Sequence, residues 1–153
     1  MATYFFDSSG LVKRYIDEKG SAWIQEITAS QSGNDLYIAR ITGAELIAAI
    51  SRRQRRGATT VSDANAAIVA FRTDFARAYF SLDVTPEVVH RAMSLAERHG
   101  LRGYDSIQLA AALELCDLCL ASGLPLPVLI AADTELNMAA EAEGFSVDDP
   151  NSH

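Results

Sequence analysis

The sequence predicts an α/β protein, with helices packed on both faces of a sheet of mostly parallel strands. Two observations carry that expectation. Short apolar stretches of strand character alternate with longer stretches of helical periodicity from one end of the chain to the other. Roughly ten to thirty residues of helical pattern separate successive strand candidates, a length that suits parallel crossovers rather than hairpins. Helices on both faces then give a helix–sheet–helix layering. With 153 residues and no internal repeat, linker or low-complexity segment, the chain reads as one domain, whose folding buries about 68–70% of the unfolded surface.

In chain order, Thr3–Asp7 is the first strand, an aromatic run that ends in a carboxylate. Two short helices, Leu11–Ile16 and Ala22–Ala29, follow with a break at Gly20. Leu36–Ile41 is the second strand. From Thr42 the pattern is helical to Arg56, and Gly57 sits where a helix end favours a left-handed residue. Asp63–Tyr79 is a long amphipathic helix capped by Ser62 or Asp63, and Phe80–Val84 is a short strand. Pro86 occupies the first turn of the next helix, where its missing N–H costs nothing, and His99-Gly100 closes that helix. Asp105–Ala121 is helical, Val128–Ala131 a fully apolar strand, Thr134–Glu143 a helix backed by Gly144, and Phe145–Val147 the last strand. The domain is expected to span 1–147, with residues 148–153 as a short frayed tail.

Apolar residues make up 49% and charged residues 22% of the chain, as in ordinary globular proteins. No apolar run approaches the roughly 20 residues of a membrane span, and Met1-Ala2-Thr3-Tyr4 lacks the basic start of a secretory signal. A cytoplasmic protein without membrane association is expected. Thirteen basic against 20 acidic residues leave a net charge of −7. That opposes bulk attraction to nucleic acid. It permits nucleic-acid chemistry at an acidic pocket, because a bound metal inverts the local charge, and it suits a basic protein partner. Cys116 and Cys119 form a lone C-x-x-C late in an Ala/Leu-rich helical run. Zinc needs about four ligands, so these are read as two thiols on a helix face. His90, His99 and His153 are scattered and support no triad.

Four carboxylates stand at strand ends or helix starts. Asp7 closes the first strand, Glu45 lies one turn into the helix after the second, Asp105 opens a helix, and Asp133 closes the fourth strand. Each has a structural role open to it. Asp7 and Asp133 suit N-caps, and Thr42-Gly43-Ala44-Glu45 and Asp105-Ser106-Ile107-Gln108 both fit a capping box. Together they say more. In a parallel sheet the strand C-termini and the following helix N-termini share one edge, so Asp7, Glu45 and Asp133 should face one region. Asp105 follows a helix, and this reasoning does not place it. Clustered anions repel, so either one holds a proton or a divalent cation neutralises them. Oxygen ligands without nearby histidine or cysteine point to Mg²⁺ or Mn²⁺ rather than zinc. Such an open carboxylate site suits phosphodiester hydrolysis.

Four blocks of residues match a known pattern in order: Tyr4-Phe5-Phe6-Asp7-Ser8-Ser9-Gly10-Leu11-Val12-Lys13-Arg14-Tyr15; Glu45-Leu46 followed by Arg52-Arg53; Leu101-Arg102-Gly103-Tyr104-Asp105-Ser106-Ile107-Gln108-Leu109-Ala110-Ala111-Ala112; and Ala131-Ala132-Asp133 with Leu136-Asn137 and Ala140. The chain thereby resembles the PIN-domain family, and within it the VapC-type toxins, the ribonucleases of type II toxin–antitoxin modules. The blocks around Asp7 and Asp105 are the specific ones. The resemblance implies a three-layer α/β/α sandwich with strand order 3-2-1-4-5. It implies Asp7 and Asp105 as principal metal-binding aspartates for Mg²⁺ or Mn²⁺. Glu45 would contact metal through water, and Asp133 would be the fourth acid, with Glu135 as a substitute. Ser9 would bond to a ligand carboxylate or water, with helix capping its alternative. The implied activity is endoribonucleolytic hydrolysis leaving a 5′-phosphate and a 3′-hydroxyl, and the implied partners are RNA, a cognate antitoxin and a second copy in a homodimer.

Lys13, Arg14 and Arg102 adjoin the acids in sequence and are the candidates for RNA-backbone contact; pairing with Asp17, Glu18 or the pocket acids is their alternative. Arg52-Arg53-Gln54-Arg55-Arg56 reads as a solvated helix end. Ile68, Phe71, Phe75 and Tyr79 recur at helical spacing and read as packing. Trp23, Ile24 and Ile27 suit either an antitoxin groove or burial against the sheet. A silent PIN-like binding module is the rival class. An aspartyl-phosphate phosphatase ranks lower, because Ser9 stands where its second acid belongs.

Overall fold

The computed structural model describes residues 1–153. Five strands, β1 (Thr3–Phe6), β2 (Asp35–Ala39), β3 (Phe80–Leu82), β4 (Val128–Ile130) and β5 (Ser146–Asp148), form one sheet in the order β3-β2-β1-β4-β5. Every neighbouring pair is parallel. The seven α-helices are α1 (Ser8–Leu11), α2 (Ser21–Thr28), α3 (Thr42–Arg55), α4 (Val61–Arg77), α5 (Pro86–His99), α6 (Gly103–Ala121) and α7 (Thr134–Ala142).

Strand alternation divides these helices into two layers. Phe5, Ala39 and Leu129 point into a core shared with Leu95 of α5, Leu109 of α6 and Leu136 of α7. Their neighbours Phe6, Ile38 and Ile130 point the other way, against Leu11 of α1, Ile24 of α2, Leu46 of α3 and Phe71 of α4. The result is the three-layer α/β/α sandwich expected. Successive strands are added outward on one side of β1 up to β3 and then on its other side from β4, and Phe6 of β1 is level with Ile38 on one side and Ile130 on the other. Asp7 therefore leaves the sheet at the switch point, where α/β proteins bind ligands. Gly10 lets α1 cross tightly over β4: a Cβ there would lie 2.6 Å from the Ile130 carbonyl oxygen.

Two local expectations are corrected. Helix α4 is capped by Thr60, whose extended backbone brings its hydroxyl to the Asp63 N–H at 3.0 Å, so Ser62 and Asp63 lie inside the first turn. The C-terminal residues do not fray. Strand β5 runs to Asp148, and a 3₁₀ turn follows at Pro150–Ser152 with Asp149 as its cap. Gly20, at φ 86°, admits the Pro150 carbonyl so closely that a Cβ would meet it at 2.2 Å. The His153 ring lies flat on Trp23, with centroids 3.8 Å apart. Ile24 and Ile27 are buried against the sheet. The Phe71–Tyr79 stripe packs as expected, with Phe71 and Tyr79 in the same core and Phe75 against it. Both cysteines are free thiols on α6, and burial pushes Cys116 up to about 11.

Candidate active site

Asp7 is 2% exposed. Its backbone N–H donates to the Ile130 carbonyl at 3.1 Å, extending the β1–β4 ladder by one bond. Its two carboxylate oxygens have separate fates. Oδ2 accepts the Ser9 N–H at 3.0 Å and the Ser9 hydroxyl at 2.5 Å. Oδ1 is buried and has no hydrogen-bond partner. Capping and ligation are thus compatible, since one oxygen caps α1 and the other is bare. Burial raises the Asp7 pKa, against the Ser9 bonds, and the charge of Asp133 adds to the rise. Ser9 does more than hold that carboxylate: its Oγ also accepts the Ala132 N–H at 2.9 Å, tying β1's exit to β4's.

Glu45 lies in the first turn of α3, but the expected capping box is absent. The N-cap position is Ile41, with helical angles and no side-chain bond. Thr42 turns inward, where its Oγ1 accepts Gln108 Nε2 at 2.8 Å. Glu45 itself accepts Ser8 Oγ on Oε2 at 3.0 Å and Gln108 Nε2 on Oε1 at 2.9 Å. Burial raises its pKa, those two bonds oppose the rise, and the charges of Asp7 and Asp105 add to it.

Asp105 is not a cap either. Helix α6 begins at Gly103 with Arg102 in the N-cap position and no side-chain cap. The Asp105 carboxyl is pushed up to about 6, first by burial, then by Asp7 and Asp133, with Glu135 adding and the nearby Arg102 opposing. Asp133 does cap α7, its Oδ1 accepting the Leu136 N–H at 3.0 Å. Asn137 reaches back from α7 to bond the Ala131 carbonyl at 2.8 Å, which pins the turn that carries Asp133.

Acids from four separate segments thus gather at the C-terminal edge of the sheet, where neighbouring acid charges add to the raised pKa values of Asp7, Glu45 and Asp105. Asp105, which topology alone did not place, is among them, and both Asp133 and Glu135 border it. The bare Oδ1 of Asp7 and an all-oxygen surround fit a hard divalent cation. No three acidic, histidine or cysteine side chains converge closely enough to make a compact cage by themselves.

The basic candidates divide. Arg102 is exposed beside Asp105. Lys13 is buried, donating to the Lys19 carbonyl at 2.8 Å and pairing with Glu18 at 3.4 Å. Arg14 donates to the Tyr79 hydroxyl at 2.8 Å and pairs with Asp74 at 3.4 Å. Their charges are spent inside the fold, which corrects the expectation that they contact RNA. Ser8, Thr42 and Gln108 are not legible as site residues because each acts through a partner far away in the chain, whereas Asn137 acts locally, on the Ala131 carbonyl six residues before it. A cleft of about 990 Å³ lies elsewhere, between Arg14–Asp17 and the turn from α3 to α4.

A family model described as the PIN domain matches residues 4–141. The chain belongs to the PIN-domain family. In structure this PIN domain is similar to a toxin–antitoxin complex from Klebsiella pneumoniae, with a TM-score of 0.58 at 17% identity, over 96% of this chain and 97% of that one. It is also similar to VapBC2 from Rickettsia felis bound to a promoter DNA fragment, with a TM-score of 0.58 at 14% identity, over 96% of this chain and 98% of that one. No curated protein matches the chain. No helix of this PIN domain is long and apolar enough to cross a membrane.

Proposed function

We propose that this PIN domain is a divalent-metal-dependent endoribonuclease, the toxin of a type II toxin–antitoxin module that a cognate antitoxin inhibits. The observation that carries the chemistry is the buried Asp7 carboxylate at the switch point, with one oxygen held by Ser9 and the other without a partner. Asp7 and Asp105 would hold Mg²⁺ or Mn²⁺. When bound, the ion lowers the pKa of a water and stabilises the departing oxygen. Glu45, held from both sides, and Asp133, held by its cap bond, would orient that water. Exposed Arg102 would meet a phosphate of the RNA backbone. Hydrolysis forms a bond from the water oxygen to phosphorus and breaks the bond to O3′, leaving a 5′-phosphate and a 3′-hydroxyl.

An antitoxin partner and a homodimer are proposed from the resemblance to VapC-type toxins and from the shared fold of the toxin–antitoxin complexes. A cleft of about 990 Å³ beside Arg14 and Val61 offers room for an antitoxin segment. The functional test is cleavage of end-labelled RNA by the purified chain. Cleavage should need Mn²⁺ or Mg²⁺, stop in excess EDTA and vanish in Asp7→Asn with the fold intact. Unchanged cleavage in EDTA counts decisively against the proposal.

The lack of a ready three-acid cage favours a second reading, a silent module that binds RNA or protein without metal. Divalent-ion titration of the free chain separates the two: the silent module gains no stability.

A further inference from the structure

We propose that Gln108 is the positioning residue for Glu45, a buried amide that holds this acid toward Asp7 and Asp105. The inference rests on the metal-nuclease reading and names a residue that reading does not use. Gln108 is wholly buried on α6, one turn beyond Asp105. Its Nε2 serves two acceptors from α3, Glu45 Oε1 at 2.9 Å and Thr42 Oγ1 at 2.8 Å. Its Oε1 is buried without any donor.

That asymmetry fixes the direction of the amide. Reversed, it would face its carbonyl oxygen toward a carboxylate, two acceptors in contact, and strip Glu45 of a donor. The observed orientation leaves the less demanding neutral oxygen unpaired and gives the charged one its bond. The other oxygen of Glu45 takes Ser8 Oγ at 3.0 Å, from the residue that follows Asp7. Glu45 is therefore gripped between the first residue past Asp7 and a residue one turn past Asp105.

The grip also spans the layers. Helix α3 packs on the β-sheet face that holds Phe6, and α6 on the face that holds Phe5. Gln108 joins them over the strand ends, at a separation of 63 residues in the chain. Having no exposed surface, it cannot touch RNA, and whatever it does for cleavage passes through Glu45.

The test compares the native chain with Gln108→Met, which keeps the side-chain length and removes the donor. Calorimetry gives the Mn²⁺ affinity, and labelled RNA at saturating Mn²⁺ gives kcat and KM. Outer-shell partners of metal-site acids typically matter by about 10- to 100-fold, so Gln108→Met should weaken Mn²⁺ by that order. It should also lower kcat while leaving KM for RNA unchanged, and Gln108→His, which restores an N–H, should recover part of the loss. Native-like Mn²⁺ affinity and kcat in folded Gln108→Met overturn the proposal. Should that variant fail to fold, Gln108→Asn, an amide one methylene short of Glu45, carries the same expectation and the same refutation. A native chain that shows no Mn²⁺ response sinks the metal reading and this inference with it. A native chain whose Mn²⁺ response weakens in Glu45→Gln but not in Gln108→Met sinks the inference alone.

Discussion

Asp105→Asn should stabilise the metal-free protein while abolishing cleavage. The Asp105 carboxyl rises from an ordinary 3.8 to about 6, through burial and the fields of Asp7 and Asp133. At about 1.4 kcal/mol per tenfold change this corresponds to an upper limit of about 3 kcal/mol. Half-exposure to solvent reduces that to about 1–2 kcal/mol. Against it stands the favourable effect of an acid in the first turn of α6, worth about 0.3–1 kcal/mol. A net gain of roughly 1 kcal/mol remains, or about 2–4 °C in Tm for a chain of this size.

The sign follows from proton linkage. A carboxyl raised in the folded state binds more protons folded than unfolded, so its stabilising effect is complete below pH 3.8 and is lost as pH rises through about 6. The Asn variant should therefore match the native chain near pH 4 and melt higher above about pH 6, in EDTA. Excess Mn²⁺ should reverse the order, raising the native Tm and leaving the variant behind. The assay is thermal melting across pH with and without Mn²⁺. A loss of stability in metal-free Asp105→Asn at neutral pH, or a gain that ignores pH, would refute the shared acidic hollow and favour a simple helix-start role.

Ser9→Ala removes the bonds to Asp7 and to the Ala132 N–H; urea unfolding should show a loss of about 1–3 kcal/mol, with cleavage reduced further. Gly10→Ala drives a methyl against the Ile130 carbonyl, backbone that cannot yield; unfolding should register a cost of about 1–3 kcal/mol, and native stability would show that α1 does not cross β4 this closely. Trp23 is the sole tryptophan, so His153→Ala should change its emission by removing the stacked ring. Melting should move by no more than about 1.5 kcal/mol, and unchanged emission would mean that the ring stack does not form in solution.

The fold could be read from local pattern because its signals are local. Tyr4-Phe5-Phe6 and Val128-Leu129-Ile130 look like buried strands in any setting, and Pro86 and Gly100 mark the two ends of α5. Strand order came through the family resemblance around Asp7 and Asp105. The α4 cap moves only locally, to Thr60; three other misreadings come from a partner distant in the chain that outbids a local one. Thr42 looked like a cap for α3, but Gln108 claims its hydroxyl. Arg14 stands near Asp7 in sequence and spends its charge on Asp74 and Tyr79. The last residues looked unanchored because their anchors, Gly20 and Trp23, lie near the other end. Asp7 was left open between cap and ligand for a different reason: sequence names a carboxylate but does not separate its two oxygens.

The most direct test of a shared ion is anomalous diffraction from crystals of the native chain soaked in Mn²⁺. One or more peaks between Asp7 Oδ1 and the Asp105 carboxylate, within ligand distance of both and absent from Asp7→Asn crystals, is the predicted result. Manganese bound elsewhere, or none at this edge at millimolar concentration, would contradict it.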